Sequence, residues 1–231
     1  MIRNLLTLII GTSLAFTACK DEVEPRQESL HEFTYLALGD SYTIGESVPK
    51  EDRWGDQLAM LLRDNNFDVG DPATIARTGW TTADLASAIR NENLQTSYDL
   101  VSLLIGVNNQ YQGQSMAVYR TEFRELLQTS IRLASSKPEN VIVLSIPDWG
   151  ATPFAANRDG QQIAQEIDAF NVVAKDEAQK AGVAFINITP LTRQFGNDAS
   201  YIARDGLHYS GKMHREWALL SLPIAEMILT E

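Results

Sequence analysis

The chain has 231 residues, 44% hydrophobic and 21% charged, enough for one globular domain with a full core and little room for a second. A formal net charge of -11 repels phosphate, which excludes nucleic acid as a partner and leaves an anionic membrane surface without electrostatic pull on the domain. A single cysteine excludes an internal disulfide, so the fold must hold through its core alone.

At the start of the chain, Arg3 and the apolar run Leu5 to Phe16 have the charge and length of an export signal. That run is too short to span a membrane comfortably. It ends in Phe16-Thr17-Ala18-Cys19, and the pattern resembles a bacterial lipoprotein signal, although Phe16 departs from the aliphatic residue usual there. The resemblance implies cleavage before Cys19 and lipidation of that cysteine, hence a membrane partner reached through a lipid anchor. An ordinary secretory signal with a chance cysteine is the other reading. Residues 20–29 are polar and aperiodic and read as a tether. The chain thus divides into a signal peptide over 1–18, a tether over 19–31 and a folded domain over 32–231. Lys20 followed by acids resembles the Gram-negative sorting pattern for the outer membrane, with the face of that membrane left open.

Within the domain, Phe33 to Leu38 reads as a first strand stopped by Gly39. A helix is expected over about Arg53 to Asn65, with Trp54, Leu58, Leu61 and Leu62 on one face. Ala73 to Arg77 is a short second strand, and Thr81 with Asp84 marks a helix start. Leu100 to Ile105 is apolar throughout, as a strand buried on both faces should be. Ser115 caps a long helix reaching about Ser136, Val141 to Ile146 is the fourth strand, and Gly160 to Ala181 is a helix closed by Gly182. Val183 to Ile188 is the fifth strand. A last helix over about Lys212 to Leu229 contains Pro223, where a kink or break is expected. This alternation predicts an α/β domain with a parallel sheet covered on both faces.

Four short segments fall at the ends of these elements: Gly39-Asp40-Ser41-Tyr42, Thr78-Gly79-Trp80, Gly106-Val107-Asn108-Asn109 and Asp205-Gly206-Leu207-His208. In an open α/β sheet such ends gather at one edge, where ligands bind. The set resembles the SGNH (GDSL-type) hydrolase family, with all four family blocks in order over roughly Phe33 to Glu231. The resemblance implies a flavodoxin-like three-layer α/β/α sandwich with a five-stranded parallel sheet in the order 2-1-3-4-5. It implies Ser41 as nucleophile, His208 as base, and an oxyanion hole from the N–H of Ser41, the N–H of Gly79 and the amide of Asn108. The family often has aspartate after this asparagine, and Asn109 departs from that.

The residues themselves point the same way. Ser41 follows a strand and a glycine, but Asp40 and Thr43 do not fit the Gly-x-Ser-x-Gly elbow of α/β-hydrolases. Of the three histidines, His31 precedes the first strand and belongs at the opposite edge, and His214 lies inside the last helix, where partial exposure is expected. His208 lies at the correct edge, and Asp205 three residues earlier can bond its imidazole and fix the tautomer. Trp80, Tyr111, Trp149 and Phe154 fall near that edge as candidate substrate walls, Trp149 foremost, packing of the loops being the alternative for each. No zinc motif, P-loop or dinucleotide fingerprint occurs, so no metal or cofactor is expected. The expected activity is a serine esterase acting on O-acyl, foremost acetyl, esters of glycans or other small molecules. A lysophospholipase or thioesterase, and a carbohydrate-binding lipoprotein without catalysis, are the rival readings.

Overall fold

The computed structural model describes residues 31–95 and 97–230; the expected signal segment, Cys19 and nearly all of the tether lie outside the described residues. Five strands, β1 (Tyr35–Gly39), β2 (Ala73–Ala76), β3 (Leu100–Leu104), β4 (Val141–Leu144) and β5 (Ala184–Ile186), form one parallel sheet in the order β2-β1-β3-β4-β5. Tyr35 pairs with Leu100, Leu36 with Ala73, Val101 with Val141 and Ile142 with Ala184, which sets the register across the sheet. Every residue of β1, β3 and β4 is buried, as expected for strands covered on both faces.

Eight helices accompany the strands among the described residues: α1 (Ser41–Ile44), α2 (Trp54–Asp64), α3 (Thr82–Asn91), α4 (Val107–Tyr111), α5 (Met116–Leu133), α6 (Gly160–Ala181), α7 (Thr189–Phe195) and α8 (Gly211–Thr230). The strand order dictates their layers. The β1-to-β2 crossover runs in one direction and the crossovers to β3, β4 and β5 in the other, so right-handed connections put α2 on one face and α3, α5 and α6 on the opposite one. α8 returns to pack along α2, while α5 lies between α3 and α6. This is the expected three-layer sandwich, and the direction reverses between β1 and β3, where a crevice opens.

Local chemistry sets the boundaries. Thr81 and Asp84 form a capping box on α3, and Ser115 caps α5 by accepting from the Val118 N–H. α5 stops at Leu133, short of the expected Ser136, because Ser135 and Ser136 have φ of 58° and 62° and cannot continue a right-handed helix. β5 is shorter than Val183 to Ile188 because Ser145, just beyond β4, accepts the N–H groups of Ile188 and Thr189 at 2.9 and 3.1 Å and turns the chain into α7. No break occurs at Pro223: α8 runs through it unbroken. Pro223 is exposed and so is Leu219, whose carbonyl loses its partner, so water can take that carbonyl. Among the described residues no helix is long and apolar enough to cross a membrane.

Candidate active site

The ends of β1, β2 and β3 and the loop before α8 bring the four motifs together. Ser41, Gly79, Asn108 and His208 line one cavity of about 220 Å³, walled also by Val107, Tyr111, Trp149, Phe154 and Leu207. Gly39 lets the chain turn out of β1 there: a Cβ on it would lie 2.2 Å from Thr43 Oγ1 and 2.5 Å from the Leu104 carbonyl. Ser41 is the first residue of α1, so its N–H lies outside the helical ladder and is open to a ligand. Gly79 has φ of 86° with open space where a Cβ would be, so the backbone angle, and not crowding, calls for glycine. Its N–H donates to no protein group among the described residues. Asn108 Nδ2 donates one hydrogen to the Trp80 carbonyl at 2.9 Å, which fixes the amide plane and leaves its second hydrogen unused.

His208 is held from several sides. Its Nδ1 bonds Asp205 Oδ2 at 2.7 Å, and its own N–H and that of Leu207 donate to Asp205 Oδ1, both at 2.9 Å. Ser47 Oγ donates to the same Oδ2 at 2.6 Å from a loop 158 residues away. Burial works to raise the Asp205 carboxyl, but the bonds from Ser47, His208 and the two N–H groups prevail and hold it well below the usual carboxylate range. An ionised Asp205 accepts the Nδ1 proton, leaving His208 Nε2 as the free acceptor. The imidazole packs on Tyr42, 5.4 Å between ring centres, and Tyr42 in turn meets Tyr209 and Trp217. Tyr209 OH donates to the Asp148 carbonyl at 2.9 Å, tying the His208 loop to the loop that carries Trp149. Ser41 Oγ makes no hydrogen bond with His208 in this conformation; such bonds often tighten only when substrate is bound.

The remaining candidates separate. Trp149 is 5% exposed and lies between Tyr111 and Phe154, both edge-on to it at 5.3 and 6.1 Å. Trp80 is half-buried against the core, and the Trp80 side chain is not part of the cavity wall. His31 sits at the far edge, bonded to Asp68 at 2.6 Å. His214 corrects the expectation of partial exposure: it is 1% exposed, stacks on Trp217 at 4.8 Å, and its Nδ1 accepts the Trp54 N–H at the start of α2. Burial pushes its pKa down to about 3, keeping it neutral. Asn109, in the place of the expected acid, is buried and binds Thr82 through both amide atoms, which joins α4 to the N-terminus of α3. Asp40, buried beside Ser41, accepts from the Tyr42 N–H, yet burial pushes its pKa up to about 7. Ser47, Tyr42 and Tyr209 carry no sequence signal of a role, since each works through a partner distant in the chain or through ring packing.

Fold and site together define a serine-type carboxylic-ester hydrolase built on a three-layer α/β/α sandwich. The profile of the GDSL-like Lipase/Acylhydrolase family matches residues 37–216, and the chain belongs to that family. Solved structures similar to it include TesA, at 18% identity and a TM-score of 0.68, covering 84% of this chain and 99% of that one. An acetyl xylan esterase variant from Geobacillus stearothermophilus is 16% identical with a TM-score of 0.67, covering 84% and 95%. A lipase/acylhydrolase from Enterococcus faecalis is 21% identical with a TM-score of 0.62, covering 85% and 95%. At these identities the likeness is one of fold. No curated protein sequence matches the chain significantly.

Proposed function

We propose that the protein removes O-acetyl groups from glycans through an acyl-enzyme. Ser41 Oγ attacks the ester carbonyl and gives its proton to His208 Nε2, while Asp205 holds the imidazole and offsets its charge. The oxygen charge that develops meets the N–H of Ser41, the N–H of Gly79 and the free amide hydrogen of Asn108. The carbon–oxygen bond to the alcohol breaks as His208 protonates that alcohol. Water then attacks the acyl group, giving a proton to His208, which returns it to Ser41 as the acid leaves. The carrying observation is the convergence of Ser41, His208 and the oxyanion donors on one apolar cavity of about 220 Å³. That volume is below the roughly 300–1,000 Å³ of pockets for drug-sized ligands, which favours a short acyl group. Structural relatives described as acetyl xylan esterases support the same class.

We further propose that the enzyme is exported under the signal over 1–18, lipidated on Cys19 and held by the 19–31 tether in the cell envelope, at the outer membrane of a Gram-negative bacterium. A fluorophosphonate probe followed by an ester series tests the catalytic reading. Wild type should be labelled on Ser41, Ser41→Ala should not, and activity on nitrophenyl esters should peak at acetate. Activity rising towards long acyl chains would replace this reading with a lysophospholipase or thioesterase. Labelling of any other serine would overturn the nucleophile.

A further inference from the structure

A second cleft, of about 400 Å³, shares Tyr111 and Trp149 with the Ser41 cavity but differs from it in chemistry. Its lining includes Gln110, Arg158, Gln162 and Glu166. These polar groups form a connected chain. Trp149 Nε1 donates to Gln110 Oε1 at 2.8 Å, Gln110 Nε2 donates to Glu166 Oε2 at 2.7 Å, and Gln162 Nε2 donates to Glu166 Oε1 at 2.8 Å. Each Glu166 oxygen has taken one donor from the protein and retains a lone pair. The Arg158 guanidinium has no ion pair or side-chain hydrogen bond among the described residues and is exposed at the same cleft.

We infer that this cleft is the leaving-group subsite and receives the hydroxylated ring of a sugar, with the ester bridging the wall made by Tyr111 and Trp149. The inference rests on the glycan O-acetyl esterase reading and specifies how such an ester is divided. Its acyl half belongs in the apolar cavity beside Ser41, so its alcohol half must lie across that wall. A sugar hydroxyl both donates and accepts: it can give to Glu166 and take from Arg158, so neither charge loses water without replacement. Tyr111, 50% exposed at the junction, offers a ring face for stacking. An alkyl chain would desolvate Glu166 and Arg158 with nothing in return, and a phosphate head group would face the Glu166 carboxylate. The chain of bonds also fixes Trp149, so the same residues that greet the sugar hold the wall of the acyl cavity in place.

The test compares kcat/KM on acetylated xylo-oligosaccharide with kcat/KM on nitrophenyl acetate, whose leaving group carries no sugar hydroxyls. Arg158 and Gln162 are both exposed, so the double variant Arg158→Ala/Gln162→Ala should keep the wild-type melting temperature. The ratio of the two kcat/KM values should fall at least about tenfold in it, mostly through KM on the oligosaccharide, since tenfold corresponds to the loss of about one net hydrogen bond to a charged group. Arg158→Lys should recover part of the ratio. A ratio within about twofold of wild type in the double variant would overturn the subsite and leave the esterase reading standing. A wild-type enzyme that hydrolyses nitrophenyl acetate but no acetylated oligosaccharide would overturn both the subsite and the glycan substrate class.

Discussion

Asp205→Asn should nearly abolish activity while leaving the protein folded. The carboxylate accepts from the Leu207 and His208 N–H groups through Oδ1, and from Ser47 and His208 Nδ1 through Oδ2. In the variant the amide oxygen can keep both backbone bonds, so the loop retains its shape. The amide nitrogen then stands where Oδ2 was. Ser47 can reverse its hydroxyl and accept, but the imidazole must also accept, at Nδ1, and its proton moves to Nε2. His208 then meets Ser41 with a donor instead of an acceptor. Losing a charge-assisted bond accounts for about 1.5–3 kcal/mol. The wrong tautomer adds the rest of the roughly ten-thousand-fold fall seen when a triad aspartate becomes asparagine, which corresponds to about 5.5 kcal/mol. Ser47→Ala is the matched comparison, because it removes a bond to the same oxygen but leaves charge and tautomer intact; it should cost about tenfold at most in kcat. The assay is kcat on nitrophenyl acetate beside a thermal melt of each variant. Asp205→Asn within tenfold of wild type, still folded, would show that another group sets the His208 tautomer.

Other expectations follow from the same geometry. Asn108→Ala should lower kcat about 100- to 1,000-fold with little change in KM, since its free hydrogen serves the charge that develops only in the transition state; a change confined to KM would count against the oxyanion role. The His214 contribution to stability should rise with pH between about 3 and 6.5, because the unfolded chain protonates His214 near 6.5 whereas the folded one does so only near 3, so at this group the unfolded state binds more protons; Asp40, whose buried carboxyl is pushed up to about 7, contributes with the opposite sign. The contribution to the slope is up to about 1.4 kcal/mol per pH unit. Urea melts of His214→Phe should show a lower midpoint at pH 7 and a pH slope less positive than that of wild type across the window; an unaltered slope would remove His214 as a contributor. Cys19→Ser should release the protein from the membrane fraction or leave its signal uncleaved, and mass spectrometry showing a mature N-terminus at another residue would refute lipidation at Cys19.

The sheet was legible because strands buried on both faces read as continuous apolar runs, as Leu100–Leu104 does, and because glycines and polar residues punctuate their ends. The four motifs were legible for the same reason: each sits where a strand stops or a helix is about to begin. The supports of the site were not. Ser47 reaches Asp205 across 158 residues from a backbone with φ of 68°, and nothing local marks the serine as that partner. Trp80 reads from its motif as a substrate wall, yet its carbonyl orients Asn108 while its ring packs on the core. His214 reads as a surface residue of an amphipathic helix until α2 covers it, which only the tertiary packing of α2 on α8 decides.

The column of rings that runs from His208 through Tyr42 to Trp217 and His214 bears on how the enzyme would wear out. Tyr42 follows Ser41 directly in the chain, and Trp217 and His214 belong to α8, so the segments that carry Ser41 and His208 are both packed through Tyr42 onto α8. Drawing Tyr42 away from His208 would disturb rings buried in the core, since Tyr42, Trp217 and His214 are all buried, a step closer to global unfolding than the loosening of an exposed segment. Heat inactivation of this enzyme should then share its rate, and its dependence on temperature, with the loss of near-ultraviolet tryptophan signal.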